Sequence, residues 1–464
     1  MDVRAQMLRI PDLDRFPSVD ETHAELDELA ARHPGLVSVR RIGTSRLGDP
    51  LRVLSVGEGP RDAVIIGGPH PNEPIGALTV GRLVRLLCED ASLRRELGYR
   101  WHLIPCADPD GARLNEGWYS HPGDRRRYAR HFYRPAWKDQ VEWTFPISGE
   151  EYFFDRSIPE TAAVMRLMDE VRPAFVYSLH NGEYTGAYFY INRRDPALAA
   201  RLAELADWEG IPLHHGEPEL PGSVMVAPAV YMTPGGVRQA RTFGMGGGSA
   251  DYAARFGALH LITEVPYWAD ARICDATPTA TPYAEVLKAG LAAQREMIDT
   301  LGRVMEAVRR DLTVQSPFRR SAEDMFETYR MCADGWEGLA DGDRPATVAE
   351  RFGNRQTLHM RRLRFTGTVR RMLDAEAAAG NLTPAVREQR ARVRELFECW
   401  CDEADADSGG HPIPIRKLVA VQVAAALVAA AHARDLPSPG HTRDAPTTGD
   451  RAGTGGRPAE TGRP

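Results

Sequence analysis

Short apolar runs alternate with amphipathic stretches through the first two-thirds of the chain. Ala63–Ile66, Trp101–Pro105, Ala174–Leu179, Tyr188–Asn192 and His260–Thr263 are brief and mostly apolar, which predicts strands buried within a sheet. Helical periodicity marks Val19–Arg32, Ile75–Cys88, Thr161–Val171, Pro196–Ala206 and Tyr283–Val308. In the second of these, Leu78, Leu83, Leu86 and Leu87 form the apolar side. Pro74 suits its first turn, where a missing N–H costs nothing. This alternation predicts an α/β fold, a mixed sheet with helices on both faces, over residues 1–310. The insert Arg113–Ser157, rich in aromatics and arginines, reads as a long loop rimming a site.

Strand patterns stop near Leu312. Ser321–Cys332, Thr347–Phe352, Gln356–Ala379, Pro384–Asp402 and Ile415–Arg434 read as helices, with Gly380-Asn381 as a stop signal and Thr383-Pro384 as a start. The expected organisation is therefore an α/β unit at 1–310, an all-helical C-terminal domain at 311–435 and a tail at 436–464. The tail is dominated by Pro, Gly, Thr, Arg and Asp and is expected to be disordered.

Composition adds bounds. The chain has 464 residues, 43% hydrophobic and 26% charged, as in ordinary soluble proteins. A net charge of −6 makes no general case for nucleic-acid binding. Met1–Arg15 is charged throughout and shows no signal-peptide core. Leu418–Ala431 is shorter than the roughly 20 residues that span a bilayer, so it reads as a buried helix and no membrane partner is expected. Cys88, Cys106, Cys274, Cys332, Cys399 and Cys401 form neither a disulfide framework nor a Cys-x-x-Cys metal site. A cytoplasmic location is the expectation.

Candidate chemistry starts where Val64-Ile65-Ile66-Gly67-Gly68-Pro69 runs into His70 and, three residues on, Glu73. An imidazole and a carboxylate together suit zinc, which takes N and O ligands at about 2.0–2.2 Å. Both sit past the C-terminal end of a strand, where open α/β sheets place ligand sites. A second apolar strand ends in His180, either a satisfied structural histidine or the third ligand of a catalytic zinc site with an open fourth position. A third, His260-Leu261-Ile262-Thr263, ends in Glu264. A buried acid there needs a partner or a chemical role, and activated water needs a base.

These four positions, in this order, resemble the zinc metallocarboxypeptidases, the carboxypeptidase A-like peptidases. The resemblance extends over about residues 15 to 300. His33-Pro34-Gly35-Leu36-Val37, Ile42-Gly43-Thr44-Ser45 and Leu51-Arg52-Val53-Leu54 resemble the family's opening helix, strand and turn. Asp108-Pro109-Asp110-Gly111 resembles its Asn-Pro-Asp-Gly loop, and Gly246-Gly247-Gly248-Ser249-Ala250-Asp251-Tyr252 its Gly-Gly-Ser-x-Asp-Trp segment. The resemblance implies a carboxypeptidase-like sheet of the eight-stranded type. It implies one zinc ion held by His70, Glu73 and His180, Glu264 as catalytic base, and removal of a C-terminal residue from a peptide or peptide-like substrate. It also implies that Arg134, in Phe132-Tyr133-Arg134-Pro135, polarises the scissile carbonyl as a second catalytic residue.

The departures bear on substrate. Where the family's Asn-Arg pair helps to fix a substrate carboxylate, this chain has Glu142-Trp143. A glutamate there repels a carboxylate and attracts an amine; alternatively Arg125, Arg126, Arg127 or Arg130 supplies the charge. Phe243 falls near the family's capping tyrosine, with Tyr252 or Tyr231 as substitutes. Ala250, at the specificity position, carries no charge and argues against a basic side-chain pocket. Glu183 either lines the pocket or is a solvated loop acid. Glu142, Phe243, Ala250 and Tyr252 are thus the candidate substrate residues. His70-Pro71-Asn72-Glu73-Pro74-Ile75-Gly76 also resembles the aspartoacylase and succinylglutamate desuccinylase branch, which implies an N-acyl amino acid substrate instead. A third reading is a non-catalytic binding protein on a peptidase fold, with the helical domain as its working part. Nothing in the residues selects an oligomeric state.

Overall fold

A computed structural model describes residues 1–216, 223–233, 235–336 and 344–436; the expected disordered tail lies almost wholly outside them. A nine-stranded mixed sheet forms the centre. Its spatial order is Val37–Thr44, Pro50–Val56, Tyr99–Ile104, Arg61–Gly67, Phe175–Gly182, Leu259–Pro266, Tyr188–Ile191, Val230–Met232 and Met225–Ala227. Tyr99–Ile104, Arg61–Gly67, Phe175–Gly182 and Leu259–Pro266 run parallel to one another, and antiparallel neighbours flank them on both sides. The last two strands at one edge, Val230–Met232 and Met225–Ala227, have three residues each, too few for a periodic signal in the sequence.

The central strands are buried along their length because helices cover both faces. Side chains alternate between the faces. Tyr177 and Leu179 face one large apolar cluster, whereas Val176, with Ile66 and Ile104, belongs to a second. Helix Val19–Arg32 begins with a capping box in which Ser18 and Glu21 exchange hydrogen bonds. Helix Ile75–Glu89 approaches its strand so closely that a Cβ on Gly76 would lie 2.4 Å from the Gly67 Cα, so helix and strand both need glycine at that crossing.

The described residues after 311 are mainly helical, in Pro317–Trp336, Val348–Ala378, Pro384–Asp407 and Ile415–Asp435, but not wholly so as expected: the short strands Pro345–Thr347 and His411–Pro412 pair back with Pro278–Pro282 and Trp268–Ala269. Two expected helices, Thr347–Phe352 and Gln356–Ala379, are one. Gly353-Asn354 does not break the helix because Gly353 is buried, with room for a Cβ only 3.4 Å from Ile273 Cδ1, and tertiary packing outweighs the roughly 1 kcal/mol propensity cost of glycine. The insert Arg113–Ser157 is also more ordered than a loop, with helices at Glu116–Tyr119 and Arg125–His131. Trp118 and Tyr119 of this insert pack edge-on around Phe16, Trp118 also against Tyr267, and Tyr128 edge-on against Trp118 and tilted against Tyr267.

Helix Ile415–Asp435 is long and apolar enough to cross a membrane by length and composition, and 78% of its most apolar window is buried inside the fold. It lies against helices Ile75–Glu89 and Pro196–Trp208 and the central strands. One apolar cluster therefore runs from the sheet through the helices beyond residue 311.

Candidate active site

Three neighbouring parallel strands deliver the candidate residues to one end of the sheet. Arg61–Gly67 ends in a turn with Gly68 at φ +58°, a conformation that favours glycine. The turn closes when Glu73 N–H donates to the His70 carbonyl at 3.0 Å. The helix that follows is tied to the next strand by Ile75 N–H donating to Asn181 Oδ1 at 3.3 Å. His180 lies near the end of Phe175–Gly182, and Glu264 stands in register beside it on Leu259–Pro266.

His70, Glu73 and His180 each offer a ligand atom within 4.8 Å of the others, and all three are buried. His180 Nδ1 is 2.9 Å from Glu73 Oε2 and 3.7 Å from Glu264 Oε1. The His70 and His180 rings are 5.0 Å apart. His70 Nδ1 is buried with no hydrogen-bond partner, an orphan that a metal ion would satisfy. Two imidazoles and one carboxylate fit zinc.

The electrostatics agree. Burial, reinforced by the Arg134 charge, pulls His70 well below its ordinary pKa, so its imidazole is neutral and ready to ligate. Burial opposes the charge on His180, but the hydrogen bond to Glu73 and the charge of Glu264 overcome it and push the group up to about 9. Burial likewise opposes the Glu73 carboxylate, yet Arg134 and the two histidines hold it far below the usual range.

Arg134 reaches this cluster: its Nη2 pairs with Glu73 Oε1, and its Nε donates to Asn72 Oδ1 at 2.9 Å. The four other candidate arginines point elsewhere. Arg126 and Arg130 pair with Asp402, Asp405 and Glu398 of helix Pro384–Asp407, Arg127 donates to the Gly117 carbonyl, and Arg125 packs over Tyr184 and donates to the Ala404 carbonyl. The charged clamp is therefore not replaced by any of these four.

Glu142 and Trp143 divide between interior and cleft. Glu142, expected to face the substrate, is 3% exposed and turned inward. Its Oε1 accepts from Ser249 N–H at 2.9 Å and Ser249 Oγ at 2.8 Å, and its Oε2 from Ser178 Oγ at 3.5 Å. Trp143 stands beside the His70 ring at 6.2 Å. From it an aromatic wall continues through Trp137, 5.5 Å away, to Phe243, a further 5.7 Å. Trp137 and Phe243 line a cleft of about 770 Å³ against helix Pro317–Trp336. Ala250 is half-buried beside Ser249. Tyr252 and Tyr231 do not take the capping position. Tyr252 is 2% exposed, packs with Phe145 in the apolar cluster under the sheet, and donates its hydroxyl to Asp169. Tyr231 is buried beside Tyr190. Glu183 is neither solvated nor free: it pairs at 2.6 Å with Arg364 of helix Val348–Ala378.

Sequence reasoning missed what the C-terminal helices contribute. Arg364 holds the loop after His180. Ser321 Oγ donates to the Arg134 carbonyl at 2.6 Å. Gln422, from helix Ile415–Asp435, donates to the His180 carbonyl at 2.8 Å and accepts from Thr79 Oγ1 at 2.7 Å. A signal existed for Gln422, an amide inside the run Val419-Ala420-Val421-Gln422-Val423-Ala424, because a buried amide requires partners.

A family model described as zinc carboxypeptidase matches residues 22–259, which include His70, Glu73 and His180 and stop short of Glu264. A carboxypeptidase B from Astacus astacus is 31% identical over 105 residues, 22% of this chain and 35% of its own length. A zinc carboxypeptidase A 1 from Anopheles gambiae is 33% identical over 105 residues, 22% of this chain and 24% of its own length. The chain thus spans about a third or less of the length of these curated relatives. The solved carboxypeptidase A of Helicoverpa armigera is 18% identical, with 57% of this chain and 69% of that chain covered at a TM-score of 0.39.

Proposed function

This chain belongs to the zinc carboxypeptidase family, and from that premise we propose that it is a zinc-dependent hydrolase that removes the C-terminal residue of a peptide or peptide-like substrate. The observation that carries the reading is the convergence of His70, Glu73 and His180, with Glu264 in register beside His180.

His70, Glu73 and His180 would hold the ion, which, when bound, polarises a carbonyl and acidifies a water. Glu264 takes a proton from the attacking water and passes it to the leaving amine, so that one carboxylate serves first as general base and then as general acid. Arg134, already against Glu73, turns its remaining N–H groups to the carbonyl oxygen as charge develops there. Trp143, Trp137 and Phe243 offer flat apolar surface to the substrate, beside the ligand His70. None of Arg125, Arg126, Arg127 and Arg130 faces the site, so the substrate end is recognised without an Asn-Arg clamp.

The test is the metal content of the full chain, wild type beside His180→Ala, with a peptide library varied at the C-terminus and read by mass spectrometry. About one zinc per wild-type chain, lost in the variant, with single-residue trimming, supports the proposal. Zinc without trimming moves the substrate to N-acyl amino acids. A wild-type protein that takes up no zinc overturns the hydrolase reading.

A further inference from the structure

We propose that Glu142 is a positioning residue for the metal ligand His180, acting through the Ser178 hydroxyl, and is not a substrate contact. The inference rests on the metal-centre reading above.

The argument is an account of donors and acceptors. His180 turns Nδ1 toward Glu73 and the metal position, so Nε2 points the other way, 2.9 Å from Ser178 Oγ. An imidazole that ligates through Nδ1 carries its hydrogen on Nε2 and donates it to Ser178. A hydroxyl has one hydrogen to give. With its oxygen accepting from His180, Ser178 has that hydrogen left to turn toward Glu142 Oε2, a long contact at 3.5 Å. A second arm reaches the same carboxylate. Ser249 gives Glu142 Oε1 both its N–H and its hydroxyl hydrogen, while its Oγ lies 2.9 Å from His260 Nε2. His260 is fully buried, and because the Ser249 hydroxyl hydrogen goes to the carboxylate, Nε2 of His260 is the donor to Ser249 Oγ. Both arms therefore run in one direction, from imidazole to hydroxyl to carboxylate. Only an acceptor of the carboxylate type closes both.

The sheet builds this arrangement. Ser178 and His180 are two residues apart on one strand and share a face, and His260 and Glu264 share the corresponding face of the next. Gly248 leaves room for the carboxylate, since a Cβ there would lie 3.0 Å from Glu142 Oε1. Ligating histidines commonly donate their second nitrogen to an acceptor that fixes tautomer and ring orientation, and loss of such a partner costs about 10–100-fold in metal affinity. Here the acceptor is a hydroxyl polarised by a buried acid.

Glu142→Gln replaces one acceptor oxygen with an amide donor and so reverses one arm. Ser178→Ala cuts the relay and leaves the carboxylate in place. Ser178→Thr restores the hydroxyl. Zinc affinity is measured by chelator competition on the full chain, with kcat and KM determined at saturating zinc. The expected result is a zinc affinity about 10–100-fold weaker in Glu142→Gln and in Ser178→Ala, a double variant no weaker than the worse single, recovery in Ser178→Thr, and an unchanged KM. Unchanged zinc affinity in Ser178→Ala overturns the proposal, whether or not Glu142→Gln folds. So does a Glu142→Gln protein that binds zinc normally but loses a preference among charged substrates. His180→Ala in parallel separates the two readings: if it keeps its zinc, the metal centre itself is misassigned.

Discussion

Arg364→Met should cost this protein about 3–5 kcal/mol, because it strands the Glu183 carboxylate inside the fold. The pair is 2.6 Å apart, with side chains 12% and 3% exposed, and the guanidinium also lies 4.9 Å over the Phe132 ring. Little water reaches either charge, so an uncompensated partner bears a full burial penalty. Glu183→Gln alone leaves the guanidinium without its counter-charge and should also destabilise. Arg364→Met with Glu183→Gln removes both charges and keeps their volume, so the double variant should lie well above the sum of the singles, with a coupling of roughly 2 kcal/mol or more. Urea unfolding of the four proteins, metal-free, gives the cycle. Glu183 follows His180 by three residues, so Arg364→Met should also weaken zinc binding. A loss below about 1 kcal/mol, or additive singles, would refute the reasoning and mean that the pair is solvated like a surface ion pair.

Zinc affinity of the wild type should rise with pH. His180 is raised to about 9 from an ordinary 6.5, so its proton stabilises the metal-free fold fully below about 6.5, and that contribution fades as pH climbs through 9; zinc must displace this proton, and chelator competition should show up to about a tenfold gain per pH unit in that window. A flat profile would contradict the assignment. Glu264→Gln should keep its zinc and lower kcat by about 10²–10⁴, measured on whichever peptide the library selects. Gln422→Leu removes side-chain bonds to Thr79 and to the His180 and Thr263 carbonyls; at about 1 kcal/mol net for each, it should cost about 3 kcal/mol in urea unfolding.

The strands that carry the site were legible because each is a short, mostly apolar run leading to a histidine or a glutamate, and burial on both faces leaves such a residue few places to go. The helices Val19–Arg32 and Tyr283–Val308 were legible to the residue, as strong periodicity allows. His70, Glu73, His180 and Glu264 could be named from the chain because their chemistry is unusual at the ends of apolar strands. That His180 and Glu264 stand side by side is a matter of strand register, which no local pattern encodes. The inward turn of Glu142, the anchoring of Arg126 and Arg130 on helix Pro384–Asp407, and the reach of Arg364 and Gln422 to the His180 strand all depend on contacts across long stretches of sequence. The residue types along the chain thus determined which groups could do chemistry and where strands and helices lie. Tertiary packing alone decided which of those groups meet, because burial and hydrogen-bond partners are properties of the folded surroundings and not of a residue's neighbours in sequence.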